Sequence, residues 1–141
     1  MPDGDVIVGH SMGGITASIV AGRCGARVVY VAALLPRAGV PLKDLFAEML
    51  CPGLELERRD GLDHFTDAGA RARGLDPAHL RGQALTPYFE PLEAAVPGTY
   101  IACARDRVVR PEFQRSVADH VLDCGHLPQI ERPAELAALL R

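Results

Sequence analysis

The stretch Val-Ile-Val-Gly-His-Ser-Met-Gly-Gly, residues 6–14, limits more than any other part of the sequence what this chain can fold into. A β-branched run over residues 5–8 ends at Gly9 and predicts a buried strand, central in a parallel sheet. The pattern over residues 12–24 predicts a helix. Glycines 13 and 14 disfavour a helix, so their presence in its first turn requires a reason other than propensity. We therefore predict a strand that turns sharply into a helix.

Further apolar runs extend this strand–helix alternation along the chain. They predict strands at residues 27–35, 99–104 and 120–122, and helices at residues 112–119 and from Pro133 onwards. Alternation of this kind is typical of an α/β fold with a mainly parallel sheet of about four strands and flanking helices. Residues 39–94 contain no convincing strand, so we expect a helical cap insertion within a single domain over residues 1–141.

Composition and charge exclude several classes of partner. The chain has 141 residues, 23% of them charged, and a net charge of −3, with no long basic run. We therefore expect no nucleic-acid partner and no membrane partner. The four cysteines are widely spaced and no secretory signal precedes them, so we expect reduced thiols in a cytoplasmic protein. No cysteine or histidine pair has the spacing of a metal site, and we expect no metal or organic cofactor.

The turn at residues 9–13 has the Gly-x-Ser-x-Gly spacing that presents a serine as a nucleophile. The chemistry needs a tight, strained bend that lifts the Ser11 hydroxyl clear of the backbone, and Gly9 and Gly13 let strand and helix pass closely around it. The N-terminus of the helix beneath Ser11 also favours negative charge, such as an oxyanion. The alternative interpretation is a chance Gly-rich turn, but the predicted strand and helix are the context that supports a nucleophile.

A serine nucleophile needs a base, and five histidines are candidates. His126 is the strongest, because it follows the last predicted strand and precedes the last helix. His64, in the predicted insertion, is the competitor, since a cap histidine could line a pocket. His10 is expected to point away from Ser11. The remaining two, His79 and His120, are expected to be solvated or packed.

The base in turn needs an orienting acid, for which Asp106 is the best candidate. It follows the apolar strand at residues 99–104, and the carboxyl ends of parallel strands are where α/β proteins build their sites. Its alternative interpretation is a surface aspartate paired with a neighbouring arginine. Asp119 and Asp123 are alternative acids.

Three phrases, VIVGHSMGG, YIACARDRVVRPEFQ and DCGHLPQIERPAELAALL, resemble the α/β-hydrolase superfamily along nearly the whole chain. Within it, RPEFQRSVA and TPYFEPL are most similar to the branch of small plant-type methylesterases, hydroxynitrile lyases and bacterial esterase-like relatives. The resemblance implies Ser11 as nucleophile, His126 as general base and Asp106 as its orienting acid. It also implies that the backbone N–H of Met12 is an oxyanion donor and that residues 39–94 form a lid.

Two departures from the resemblance bear on the reaction. Hydroxynitrile lyases of this branch carry a lysine directly after the histidine, where this sequence has Leu127. The Gly-His-Ser form of the turn is the one usual in the esterases. Both favour ester hydrolysis over cyanohydrin cleavage.

The resemblance also implies that the chain corresponds to the C-terminal portion of an α/β-hydrolase fold. In that fold the nucleophile follows the fifth strand, so the first four strands and the second oxyanion donor would have no counterpart here. Loss of one such donor typically lowers kcat by about 10²–10³-fold. The strand at residues 5–8 would have a bare edge, through which we expect self-association.

The sequence thus leads to two main hypotheses of function. The first is a serine hydrolase that cleaves a small carboxylic ester by a Ser11–His126–Asp106 triad through an acyl-enzyme. The alternative is a catalytically impaired or non-catalytic remnant of the fold, or an interaction module, motivated by the missing N-terminal strands. Cyanohydrin lyase chemistry ranks lower because of Leu127. The sequence does not name the ester.

Overall fold

The computed structural model describes residues 4–141, in which a parallel sheet is covered by helices on both faces. Within these residues, no helix is both long and apolar enough to cross a membrane. In chain order the strands are β1 Val6–His10, β2 Arg27–Val31, β3 Leu56–Arg59, β4 Leu62–Phe65, β5 Gln83–Ala84, β6 Thr99–Cys103 and β7 His120–Leu122. The helices are α1 Gly13–Cys24, α2 Leu42–Met49, α3 Asp67–Ala72, α4 Pro111–Val117, α5 Pro128–Glu131 and α6 Pro133–Leu139.

The main sheet has the strand order β1-β2-β6-β7, and every neighbouring pair in it is parallel. This confirms the α/β fold and the four-stranded parallel sheet. The apolar side chains of β1 predicted a central strand, but within residues 4–141 β1 pairs only with β2 and forms an edge. Val8 in β1 is accordingly 46% exposed.

Side chains alternate between the two faces of the sheet, as its burial requires. Val29 and Ile101 lie in a cluster that includes Leu136 of α6. Val28 and Tyr100 lie in a cluster that includes Ala17 of α1. Strands β2 and β6 therefore each contribute to two cores, which explains why their apolar runs have no polar face.

The helix ends follow the sequence signals. Gly25 closes α1 with a φ of 71° and donates its N–H to the carbonyl of Ala21 at 2.8 Å. That conformation is the left-handed one in which a glycine costs least. Prolines at the first turn start α4, α5 and α6, where a missing N–H costs no helical hydrogen bond.

The prediction of a helical insertion at residues 39–94 is wrong in one respect. Helices α2 and α3 lie there, but so does an antiparallel sheet of order β3-β4-β5. Its strands have at most four residues. β3 carries charged residues on both faces, and β4 begins and ends with an apolar residue on opposite faces, so both lack the alternation that marks a half-buried strand. Asp60 and Gly61, with φ of 54° and 75°, form the turn between β3 and β4. An Asp-Gly pair is a strong signal for such a hairpin turn.

Gly9 and Gly14 allow β1, α1 and the loop after β2 to pack closely at the turn after β1. The sequence had predicted this role for Gly9 and Gly13. A Cβ added to Gly9 would lie 2.7 Å from the Cβ of Ala17. One added to Gly14 would overlap the carbonyl oxygen of Leu34 and lie 2.8 Å from a side-chain atom of the loop after β2. One added to Gly13 would meet nothing within 4 Å.

Gly14→Ala is therefore expected to destabilise the fold by about 1–3 kcal/mol, because a backbone carbonyl cannot move aside cheaply. Gly13→Ala, one residue earlier in the same helix, is expected to be neutral or to stabilise by up to about 1 kcal/mol, since alanine favours a helix. Urea denaturation of the two variants and the unchanged protein measures both effects. Equal midpoints for the two variants would contradict this account of the packing.

Candidate active site

Ser11 lies at the sharp turn between β1 and α1. Its φ of 54° is the left-handed conformation that non-glycine residues rarely adopt. Hydrogen bonds from both sides hold this strained residue: its N–H donates to Val31 at 3.2 Å, and its carbonyl accepts from Gly14 and Leu34 at 3.0 Å each. The backbone conformation expected of the nucleophile turn is therefore present, and neighbouring elements support it.

Two hydrogen bonds link the three residues predicted to act together, and His126 lies between Ser11 and Asp106. The Nε2 atom of His126 is 3.0 Å from the Ser11 hydroxyl oxygen, and its Nδ1 atom is 2.8 Å from Oδ2 of Asp106. Asp106 is 3% exposed and His126 is 6% exposed, so the pair is shielded from water. A carboxylate accepts only, so Nδ1 of His126 carries a proton and Nε2 is the acceptor for the hydroxyl.

Each oxygen of the Asp106 carboxylate has two hydrogen-bond partners. Oδ1 accepts from the backbone N–H groups of Val108 and Val109 at 2.7 and 3.0 Å. Oδ2 accepts from the side-chain amide of Gln114 at 2.9 Å as well as from His126. These donors satisfy the hydrogen-bonding capacity of the buried carboxylate and fix its orientation toward the imidazole.

Sequence reasoning missed Gln114, which is fully buried on α4. Its carbonyl oxygen accepts from the N–H of Cys103 at 2.8 Å, and its amide also donates to the carbonyl of Val109 at 2.9 Å. The side chain thus ties the end of β6 to the loop that carries Asp106. A polar residue on the buried face of a helix is the signal that could have identified it.

The alternative acids lie elsewhere. Asp119 accepts from the N–H of Tyr100 at 2.8 Å and caps the start of the β6 region. Asp123 pairs with Arg105 at 3.0 Å on the surface. Neither is the partner of His126, whose Nδ1 faces Asp106.

Three other histidines also lie away from Ser11. His64, the competing base, lies in β4 with its Nδ1 3.4 Å from an Arg59 nitrogen, whereas His126 approaches the serine at 3.0 Å. The side chain of His79 is 83% exposed, and His120 is exposed at the start of β7.

His10, which was expected to point away from Ser11, contacts His126, and the sequence did not reveal this contact. Its Nε2 lies 2.7 Å from the carbonyl oxygen of His126, and the two ring centroids are 4.7 Å apart. Burial lowers the pKa of His10 below its usual value, and the neighbouring His126 lowers it further. The carbonyl can only accept, so Nε2 of His10 carries a proton.

A cavity of about 490 Å³ opens at Ser11. Residues 43–89 provide most of its wall, together with the main domain around the turn. Its apolar lining consists of Met12, Leu34, Phe46, Leu50, Leu54, Leu56, Phe65, Leu80, Tyr88, Phe89 and Val108. Five charged or amide side chains complete the wall: Lys43, Arg58, Asp63, Arg81 and Gln83. Among residues 4–141, no group of three or more His, Cys, Asp or Glu side chains could hold a metal ion.

A strained serine between a strand and a helix, next to a buried histidine–aspartate pair at the carboxyl edge of a parallel sheet, defines the α/β-hydrolase architecture. The sequence matches the alpha/beta hydrolase family over residues 1–139, and the chain belongs to this family.

Individual relatives agree with this assignment. The chain is 30% identical to a probable hydrolase of Phoma sp., covering 96% of this chain and 68% of that protein. Among solved structures it is similar to a pyrethroid hydrolase from Sphingobium faniae, with a TM-score of 0.76, 22% identity, and coverage of 95% of this chain and 68% of the other. It is also similar to polyneuridine aldehyde esterase, with a TM-score of 0.71, 18% identity and coverage of 99% and 72%. At these identities the two structures support the fold alone.

Proposed function

We propose that this protein is a serine hydrolase that cleaves a carboxylic ester through an acyl-enzyme, with Ser11 as nucleophile, His126 as general base and Asp106 as its orienting acid. The observation that carries the proposal is the chain of two hydrogen bonds, at 3.0 and 2.8 Å, from the Ser11 hydroxyl through the imidazole to the buried carboxylate. Family membership and relatives named hydrolase and esterase support hydrolysis as the reaction class.

The proposed reaction follows from this geometry. Ser11 attacks the ester carbonyl carbon while Nε2 of His126 accepts the hydroxyl proton, and Asp106 stabilises the imidazolium that forms. The imidazolium then returns that proton to the departing alcohol, which leaves an acyl group on Ser11. A water molecule, deprotonated by the same imidazole, releases the acid and restores the serine.

The negative charge on the tetrahedral intermediate requires hydrogen-bond donors. We assign one of them to the backbone N–H of Met12, which is the residue after the nucleophile. Met12 is the N-cap residue of α1 and lines the cavity, and a helix N-terminus favours an anion.

The cavity wall supports an ester with a sizeable apolar part. Eleven apolar side chains surround the space next to Ser11, and burial of such a substrate against them is favourable by about 25 cal/mol per Å². Since residues 43–89 supply most of this wall, we propose that residues 39–94 act as the cap that selects the substrate.

A fluorophosphonate probe tests the proposal directly, because it reacts only with an activated serine. We expect labelling of Ser11, located by mass spectrometry, and none in Ser11→Ala. Ser116→Ala removes an exposed hydroxyl that donates to the carbonyl of Phe113, and it should leave labelling unchanged. The unchanged protein and Ser116→Ala should also release a burst of p-nitrophenol from p-nitrophenyl acetate, and Ser11→Ala should not. A folded protein without labelling or burst would instead favour the non-catalytic alternative.

A further inference from the structure

His10 holds the peptide carbonyl of the residue proposed as the base. It is the last residue of β1 and directly precedes Ser11. The 2.7 Å distance from its Nε2 to the carbonyl oxygen of His126 joins positions 116 residues apart. One rigid strand end thus carries both Ser11 and a hydrogen-bond donor aimed at the loop of His126.

The carbonyl of His126 accepts its hydrogen bond from the His10 side chain. Within residues 4–141, no backbone N–H donates to the His126 carbonyl, whereas the next carbonyl, of Leu127, accepts from Ile130 and Glu131 at 3.0 Å each. Before the histidine, the N–H of Gly125 donates to the Glu131 carboxylate at 3.0 and 3.1 Å. Side chains therefore hold the backbone on both sides of His126. The bond from His10 connects the His126 carbonyl to the strand that carries the nucleophile.

The charge of His10 suits this contact. Burial and the nearby His126 lower the pKa of His10, so its ring is neutral and donates through Nε2 at neutral pH. A positive charge 4.7 Å from the His126 ring would oppose the charge that His126 gains when it accepts a proton from Ser11. A neutral donor fixes the position of the loop without that electrostatic cost.

We propose that His10 is a positioning residue, whose N–H holds the His126 carbonyl and thereby keeps the His126 imidazole within hydrogen-bond distance of the Ser11 hydroxyl. This role rests on the proposed hydrolase function for its effect on rate. The effect of His10 on the position of the His126 imidazole does not depend on that function. The effect on rate and the effect on position can therefore be measured separately.

Two variants of similar length isolate the hydrogen bond. Gln at position 10 places an amide N–H close to the former Nε2, and Met fills the space without a donor. We expect His10→Met to lower kcat for p-nitrophenyl acetate by about 10-fold with KM changed less than about twofold, because a displaced base loses rate rather than binding. His10→Gln should retain kcat within about threefold of the unchanged protein.

Proton NMR supplies a readout that needs no turnover. The proton that Nδ1 of His126 donates to Asp106 should give a low-field signal, assigned by its loss in His126→Gln. We expect His10→Met to shift or broaden this signal through faster exchange, and His10→Gln to preserve it. If the unchanged protein shows no hydrolysis while the signal responds in this way, the hydrolase proposal fails and the positioning role stands.

Two outcomes would overturn the positioning role. The first is a His10→Met protein with unchanged kcat and an unchanged low-field proton. The second is an equal loss in both variants, of rate or of thermal stability, since this would show that ring packing matters and the donor does not.

Discussion

Replacement of Ser11 by alanine is expected to lower kcat for ester hydrolysis by about 10⁴-fold or more, and His126→Ala by a similar factor. Without the hydroxyl no acyl-enzyme forms. Without the imidazole, whose Nε2 lies 3.0 Å from that hydroxyl, the serine remains protonated and is a weak nucleophile. A 10⁴-fold loss corresponds to about 5.4 kcal/mol of transition-state stabilisation. Steady-state hydrolysis of p-nitrophenyl acetate measures both losses.

The double variant decides whether the two residues act as one unit. If they do, the loss of kcat in the double variant should be close to that in either single variant, because each residue contributes to the rate only when the other is present. Two matched controls use exposed side chains of the same kind, Ser116→Ala and His79→Ala, and both should keep kcat within about twofold. Losses that multiply in the double variant would show that Ser11 and His126 contribute independently, against the proposed mechanism.

The parts of the fold that the sequence predicts are those specified by local patterns. A β-branched run and three further apolar runs predicted all four strands of the parallel sheet, and the Gly-x-Ser-x-Gly spacing located the strained turn at Ser11. Chain order and the position of each residue after a strand were enough to bring Asp106 and His126 to that turn. Such predictions succeed because the carboxyl ends of parallel strands must meet at one edge of the sheet.

The parts that the sequence does not predict depend on which distant atoms meet. A polar residue on the buried face of α4 singles out Gln114, but the sequence does not identify Asp106 as its partner. Likewise, His10 contacts a carbonyl 116 positions away. Gly13 and Gly14 look equivalent in the sequence, and the close contacts of Gly14 with Ala33 and Leu34 distinguish them. Each of these is a packing relation between elements, for which a single sequence carries no periodic signal.

The cap hairpin is a different kind of failure, since a local signal was present. Strands β3 and β4 bury little apolar surface, so the hydrophobic pattern on which strand prediction relies is missing. The turn residues Asp60 and Gly61 carried the information instead. In a small surface sheet, turn chemistry is a better guide than hydrophobic alternation.

Asp106→Asn is expected to lower kcat by about 10⁴-fold while leaving the fold in place. An asparagine side chain has one acceptor oxygen, and the two backbone donors of Val108 and Val109 require it. Its NH₂ group then faces Nδ1 of His126, which must become the acceptor. The proton moves to Nε2, and the imidazole can no longer accept the proton of Ser11. The loss arises from the wrong tautomer rather than from a missing residue.

Asp123→Asn is the matched control, because that carboxylate pairs with Arg105 at the surface and should change kcat by less than about twofold. Asp106→Asn also sets two donors, the new NH₂ and the Gln114 amide, against each other, which should cost about 1–3 kcal/mol of stability. Rates are therefore compared well below the unfolding midpoint of the variant. An Asp106→Asn protein that stays folded and keeps more than about a tenth of wild-type kcat would mean that His126 does not depend on this carboxylate, and the proposed role of Asp106 would be wrong.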